Sequence, residues 1–144
     1  MTSRTCILSG IDLGPDTEHV LSYAAYFALK TQATVKILYV IDYLLTPPSY
    51  LTVYIEEEKR REESEMSAWK QRLISIDIDT ECAIVLGRLY DSFAKAIEKI
   101  CPALLVLGFK SHLLHPSSSE RLIRSLKVPI LVVKGKAVVC WSYS

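Results

Sequence analysis

The side chains best suited to chemistry fall in two places along the 144 residues. Asp12 opens Asp12-Leu13-Gly14-Pro15, directly after the apolar run Cys6 to Ile11. Farther on, the stretch from Gly108 to Glu120 holds His112, His115 and the serines Ser117, Ser118 and Ser119. His112 and His115 form a His-x-x-His pair. Zinc takes three or four protein ligands, and no Cys, Asp or Glu lies between Gly108 and Ser119, so no metal site is expected. The serines and Glu120 have the form of a capping box, in which a hydroxyl accepts the N–H of the third helical residue and the carboxylate reaches back. Such a helix start also turns free N–H groups toward an anion. For nucleophilic catalysis the chain has no Gly-x-Ser-x-Gly elbow and no Cys/His pair with a third group to orient it. Asp12 and Asp42 each follow an apolar run, but spacing does not pair them as acid and base, and His19 reads as a polar helix residue. No catalytic residue is expected.

Those loops need elements to hold them. Cys6 to Ile11 is short and apolar and runs into Gly14-Pro15, the pattern of a buried strand entering a turn. Asp16 then caps a helix that puts Val20, Ala24, Phe27 and Ala28 on one face. Thr34 to Ile41 is a second buried strand, followed by irregular chain from Asp42 to Ser49, where Pro47-Pro48 excludes a regular helix. The charged run Glu56 to Glu65 sets opposite signs at i,i+4 and reads as a solvated helix face, with Met66, Trp69 and Leu73 as the packed stripe beyond it. Ile76 to Leu86 is predicted as a third strand, Tyr90 to Cys101 as a helix packing Phe93, Ala94, Ile97 and Ile100, and Ala103 to Leu107 as a fourth strand. A helix opened by Ser117 and ended by Lys127, then a strand from Pro129 to Val133, complete the order. Strands alternating with helices predict an α/β domain, a parallel sheet covered on both faces. Ligands of such sheets sit beyond the carboxyl ends of the strands, where strand order reverses. If the first and fourth strands are neighbours, residues 12–16 and 108–117 face each other across one crevice.

Length and composition limit the alternatives. A chain of 144 residues suits one domain, and 50% hydrophobic against 23% charged residues excludes a disordered protein. The net charge of +1 supplies no field to gather nucleic acid or anionic lipid. No run approaches the ~20 apolar residues of a membrane helix. Cys6, Cys82, Cys101 and Cys140 are far apart and form no Cys-x-x-Cys pair, which points to reduced thiols and a cytoplasmic protein.

Several stretches together resemble the universal stress protein family over roughly residues 4 to 134. Cys6-Ile7-Leu8-Ser9-Gly10-Ile11-Asp12 resembles its opening strand with a terminal aspartate, and Leu38-Tyr39-Val40-Ile41-Asp42 resembles its second strand. Gly87 and Gly108 keep the family spacing. Glu120 to Arg124, then Val128-Pro129-Ile130-Leu131-Val132-Val133, resemble its last helix and strand. The resemblance implies a three-layer, doubly wound, five-stranded parallel sheet, flavodoxin- or Rossmann-like, of order 3-2-1-4-5 and the adenine nucleotide α-hydrolase-like class. It also implies a single domain over residues 1–144, with a core of about 4–134 and an apolar tail over 135–144.

Family members that bind ATP carry Gly-x-x-Gly, nine residues, then Gly-Ser or Gly-Thr. Here Gly108 is kept, Ser111 stands at the second glycine and Pro116 at the third, with only four residues between Ser111 and Pro116. Proline has no N–H, so one phosphate donor is lost, and the shorter loop cannot wrap a triphosphate in the family manner. The resemblance assigns the adenine to Asp12 and the backbone of Val40 and the ribose to Leu107 and Gly108. Ser117 matches the family serine, and the helix start at Ser117, Ser118 and Ser119 offers a site for one phosphate. The expected function is a non-catalytic stress-response or regulatory module, without a required cofactor, binding ATP weakly or not at all. The alternative is an ATP- or AMP-binding protein of altered phosphate loop, and behind it a small phosphoester or thioester hydrolase. The family further implies a homodimer through Ile130, Leu131, Val132 and Val133. The apolar tail runs beyond the family's usual end and is expected to cover that edge or pack in the interface, with Trp141 as its anchor.

Overall fold

The computed structural model describes residues 4–11, 17–41, 51–108 and 126–133. Its elements are β1 (Cys6–Ile11), α1 (Thr17–Thr31), β2 (Thr34–Ile41), α2 (Leu51–Ile74), β3 (Thr80–Leu86), α3 (Leu89–Ile100), β4 (Leu104–Gly108) and β5 (Ile130–Val133). The strands form one parallel five-stranded sheet of order β3-β2-β1-β4-β5. That is the order implied by the family resemblance.

Parallel strands are covered on both faces, so their sequences read as unbroken apolar runs. Alternation divides those runs between two cores. Ile7, Ile11, Val35, Ile37, Ile41 and Val106 pack with Val20, Ala24 and Ala28 of α1 and with Met66 and Leu73 of α2. Leu8, Leu38, Val40, Leu105 and Leu107 pack on the other side around Phe93 of α3, which has no exposed surface. α1 buries a wider arc than its predicted stripe, taking in Leu21, Tyr23 and Ala25, while Phe27 is only partly covered. On α3, Tyr90 and Ala96 join Ile97 and Ile100 against the core.

Five predicted boundaries move. The third strand starts at Thr80, not Ile76, because α2 runs on to Ile74 and closes with a turn. In that turn the N–H of Asp77 donates to Ile74 O at 3.0 Å and Asp77 takes φ 65°. Ile76 is left 46% exposed, so the apolar alternation through Ile76 and Ile78 does not mark a strand there. α3 ends at Ile100, with Cys101 as a left-handed cap (φ 52°, ψ 57°) whose N–H donates to Ile97 O. Ala103 and Pro129 lie just outside β4 and β5, although Ala103 N–H donates to Cys6 O and Pro129 O accepts from Leu105 N–H. Leu126 and Lys127 are already irregular chain, so Lys127 is not a last helical residue. The rest of that helix, the Asp16 cap and the Asp42–Ser49 segment lie outside the described residues.

The charged run of α2 departs from a purely solvated face at one place. Glu62 is 5% exposed and its Oε1 lies 3.3 Å from Arg61 Nε. Counting back four residues from Met66 places Glu62 on the same stripe as Met66 and Leu73, which is why a carboxylate in a charged run ends up covered.

Candidate functional site

β1 is the hinge of the topology. It pairs with β2 on one side and β4 on the other, with Ile11 beside Tyr39 and Gly10 beside both Leu38 and Leu107. The connection from β1 to β2 passes through α1 on one face, and the one from β3 to β4 passes through α3 on the other. Strand order thus reverses between β1 and β4, the position beyond whose carboxyl ends ligands of open α/β sheets bind. Asp12 follows Ile11 directly, so β1 delivers it to this point, but its own placement, like that of Ser117 and Ser118, lies outside the described residues.

The structure brings Val40, Leu107 and Gly108 to the same end of the sheet, on β2 and β4 flanking β1. Val40 is 7% exposed and Leu107 is fully buried, both in the core beneath α3. Their side chains are spent on packing, so what they have for a ligand is main chain. The last residues of the five strands are Ile11, Ile41, Leu86, Gly108 and Val133, none of them charged. Among the described residues no cluster of three His, Cys, Asp or Glu stands in metal-binding proximity.

Gly10 shapes the packing beneath this point, and sequence spacing alone had given it no role. A Cβ at Gly10 would stand 2.6 Å from both Phe93 Cζ and Leu107 Cδ2. The missing side chain lets the Phe93 ring press against the backbone of β1 one row below the strand ends. A glycine inside a strand is the available signal for such a close approach. Ser9 and Thr17 were also passed over. Both are buried, and Ser9 Oγ and Thr17 Oγ1 have no hydrogen-bond partner among the described residues. They stand on either side of the segment carrying Asp12, and a buried hydroxyl left unpaired costs about 1–3 kcal/mol.

The described thiols are unpaired: Cys6 and Cys82 are half-buried and Cys101 is exposed. Burial pushes the Cys6 thiol above its ordinary range, opposed by the hydrogen bond with Thr34 and by the charge of Lys36. Burial likewise raises Cys82, whose Sγ donates to Met66 O at 3.6 Å. Both are poor nucleophiles for that reason, since the thiolate is the reactive form.

The sequence profile of the universal stress protein family matches residues 4–134. The chain belongs to that family. Its structure is similar to UspA from Lactobacillus plantarum, at 18% identity over 92% of this chain and 99% of that one, with a TM-score of 0.78. It is also similar to a universal stress protein from Archaeoglobus fulgidus in complex with dAMP, at 14% identity, covering 93% and 100% of the two chains, with a TM-score of 0.70. A third, a universal stress protein in complex with cAMP, shares 16% identity over 92% and 98% of the chains, with a TM-score of 0.65. At these identities the likeness is one of fold. No curated protein matches the chain in sequence. Within the universal stress protein fold, the described residues place the reversal of strand order between β1 and β4, where Val40, Leu107 and Gly108 stand.

Proposed function

We propose that this chain is a non-catalytic regulatory module of the stress-response type that pairs with a second copy and binds ATP weakly or not at all. The sequence of the phosphate loop carries this reading. Ser111 and Pro116 replace two glycines, and the four residues between them leave the loop too short to surround a triphosphate. The strand ends supply no charge to compensate. Unpaired thiols at Cys6, Cys82 and Cys101 suit a reduced, cytoplasmic setting. Calorimetric titration with ATP and AMP tests the reading: weak or absent heat is expected, and micromolar ATP binding contradicts it.

The second reading is an adenylate binder of altered mode, and it is favoured by the dAMP and cAMP complexes among the structural relatives. Asp12 and the Val40 main chain would hold the base, Leu107 and Gly108 the ribose, and Ser117 and Ser118 a single phosphate at a helix start. It requires Asp12→Ala to weaken AMP binding more than His112→Ala does. Equal losses, or none, remove it. A hydrolase reading has no nucleophile behind it, and a phosphoester and thioester substrate screen without turnover above blank disposes of it.

Dimerisation rests on β5. Ile130, Leu131 and Val132 are only partly buried, and β5 ends the sheet without a further strand among the described residues. An apolar edge of that kind invites pairing across a two-fold axis, with the tail and Trp141 available to the same interface. Sedimentation of the full chain and of a chain cut after Lys136 checks it. A monomer in both overturns the dimer.

A further inference from the structure

At the opposite edge the sheet ends in β3, whose described neighbour is β2 alone. Its residues alternate between the two layers, with Cys82 and Ile84 toward α2 and Ala83 and Val85 toward α3. A depression flanks the strand on each side. The one toward α2 has a volume of about 300 Å³ and is bordered by Lys59, Glu63 and Lys70 over Met66 and Ile84. The one toward α3 has a volume of about 480 Å³, with Leu38, Val85 and Ile100 inside and Lys36, Arg88, Lys95 and Lys99 around it. Ala83 borders both, so they open along one strand.

The charge around this edge is one-sided. Six cations line the two depressions against Glu63 and Asp91, in a chain whose net charge is +1. Glu81 of β3 and Lys36 are paired at 3.4 Å, which leaves Lys59, Lys70, Arg88, Lys95 and Lys99 against Glu63 and Asp91. Arg88, Lys95 and Lys99 recur along one side of α3, beside the strand, and are exposed.

We propose that the β3 edge is a docking site for an extended acidic segment of another protein, which adds to the sheet as a strand. An added strand turns alternate side chains to opposite faces, and here each row meets a depression with an apolar floor and a cationic rim. Main-chain pairing supplies the register, carboxylates on alternate residues meet Arg88, Lys95 and Lys99 on the α3 side, and the apolar residues between them meet Met66 and Ile84 on the α2 side. β3 spans seven residues, which sets the length of the docked segment. A second copy is the wrong occupant, because β3 against β3 sets like charges face to face.

The test is fluorescence anisotropy of a labelled peptide, Gly-Glu-Val-Glu-Val-Glu-Val-Gly, titrated with the full chain at low salt. Binding is expected, and Lys95→Glu/Lys99→Glu, two exposed positions, lowers the affinity ~10-fold. The same peptide with lysine for glutamate, or N-methylated at alternate residues so that it cannot pair with a strand, is expected not to bind. Absent binding of the acidic peptide overturns the proposal. So does equal binding by the charge-reversed variant, or equal binding of the N-methylated peptide. A shift of the sedimentation coefficient in the charge-reversed chain, marking a second copy at this edge, overturns it as well.

Discussion

Among the described residues β3 and β5 both end the sheet, each with a neighbouring strand on one side alone. What surrounds the two strands differs. β5 is Ile130-Leu131-Val132-Val133, four apolar residues without a charge among them. β3 lies between depressions lined by Lys36, Lys59, Lys70, Arg88, Lys95 and Lys99. Identical backbone chemistry thus acquires opposite preferences. As proposed, the uncharged apolar edge is the one that takes a copy of itself, and the edge set in positive charge is the one that takes an acidic partner. β1, midway between them in the order, is covered on both faces and packed by Phe93 over Gly10.

The comparison breaks most visibly if β5 is given the character of β3. Val132→Lys is expected to weaken dimer formation by about 2–4 kcal/mol through like charges brought together, read by sedimentation equilibrium. An unchanged dimer would mean that copies meet elsewhere. The centre of the sheet then separates folding from pairing. Gly10→Ala forces a Cβ to within 2.6 Å of Phe93 and Leu107, and an overpacked core loses about 1–3 kcal/mol of stability in urea unfolding. Its dimer dissociation constant is expected to stay at the wild-type value once the protein is folded.

Smaller effects sharpen the contrast between the covered core and the rim of the sheet. Cys101 holds a left-handed conformation at the end of α3, where glycine is preferred, so Cys101→Gly is expected to raise stability by about 0.5–1 kcal/mol. Equal or lower stability would show that the contact of Cys101 Sγ with Glu98 O matters more. The smallest effect is that of pH. Burial holds the Cys6 and Cys82 thiols neutral above their ordinary range, so the folded chain keeps protons that the unfolded chain gives up. Their contribution is full below the ordinary thiol value of about pH 8.5 and is lost as pH rises through the raised values of the folded state. Thermal unfolding followed upward from neutral pH reads this decline. Cys82→Val, at the β3 edge, is expected to flatten part of it, and an unaltered slope would mean that the edge leaves Cys82 open to water.

Much of the fold was legible because buried parallel strands write themselves as continuous apolar runs. Cys6–Ile11 and Thr34–Ile41 could be read to the residue. β3 could not, because Ile76 and Ile78 continue an alternation that the structure breaks with a left-handed turn at Asp77. Helix periodicity found Met66 and Leu73 but did not flag Glu62, since burial of a carboxylate depends on what covers the stripe. Strand order lay beyond periodicity altogether and came from the family resemblance. The site divides in the same way. Val40, Leu107 and Gly108 are placed by strand register, whereas the packing at Gly10 depends on a ring from α3 and the cationic rim of β3 gathers lysines from β2, α2 and α3. Contacts assembled from distant elements leave no local pattern to read.

Native mass spectrometry of the purified full chain tests the central claim most directly, because one spectrum reports both copy number and bound ligand. A dimer whose mass equals two chains, without an added nucleotide, is the expected result. A monomer, or a dimer that carries the mass of ATP through desalting, would contradict it.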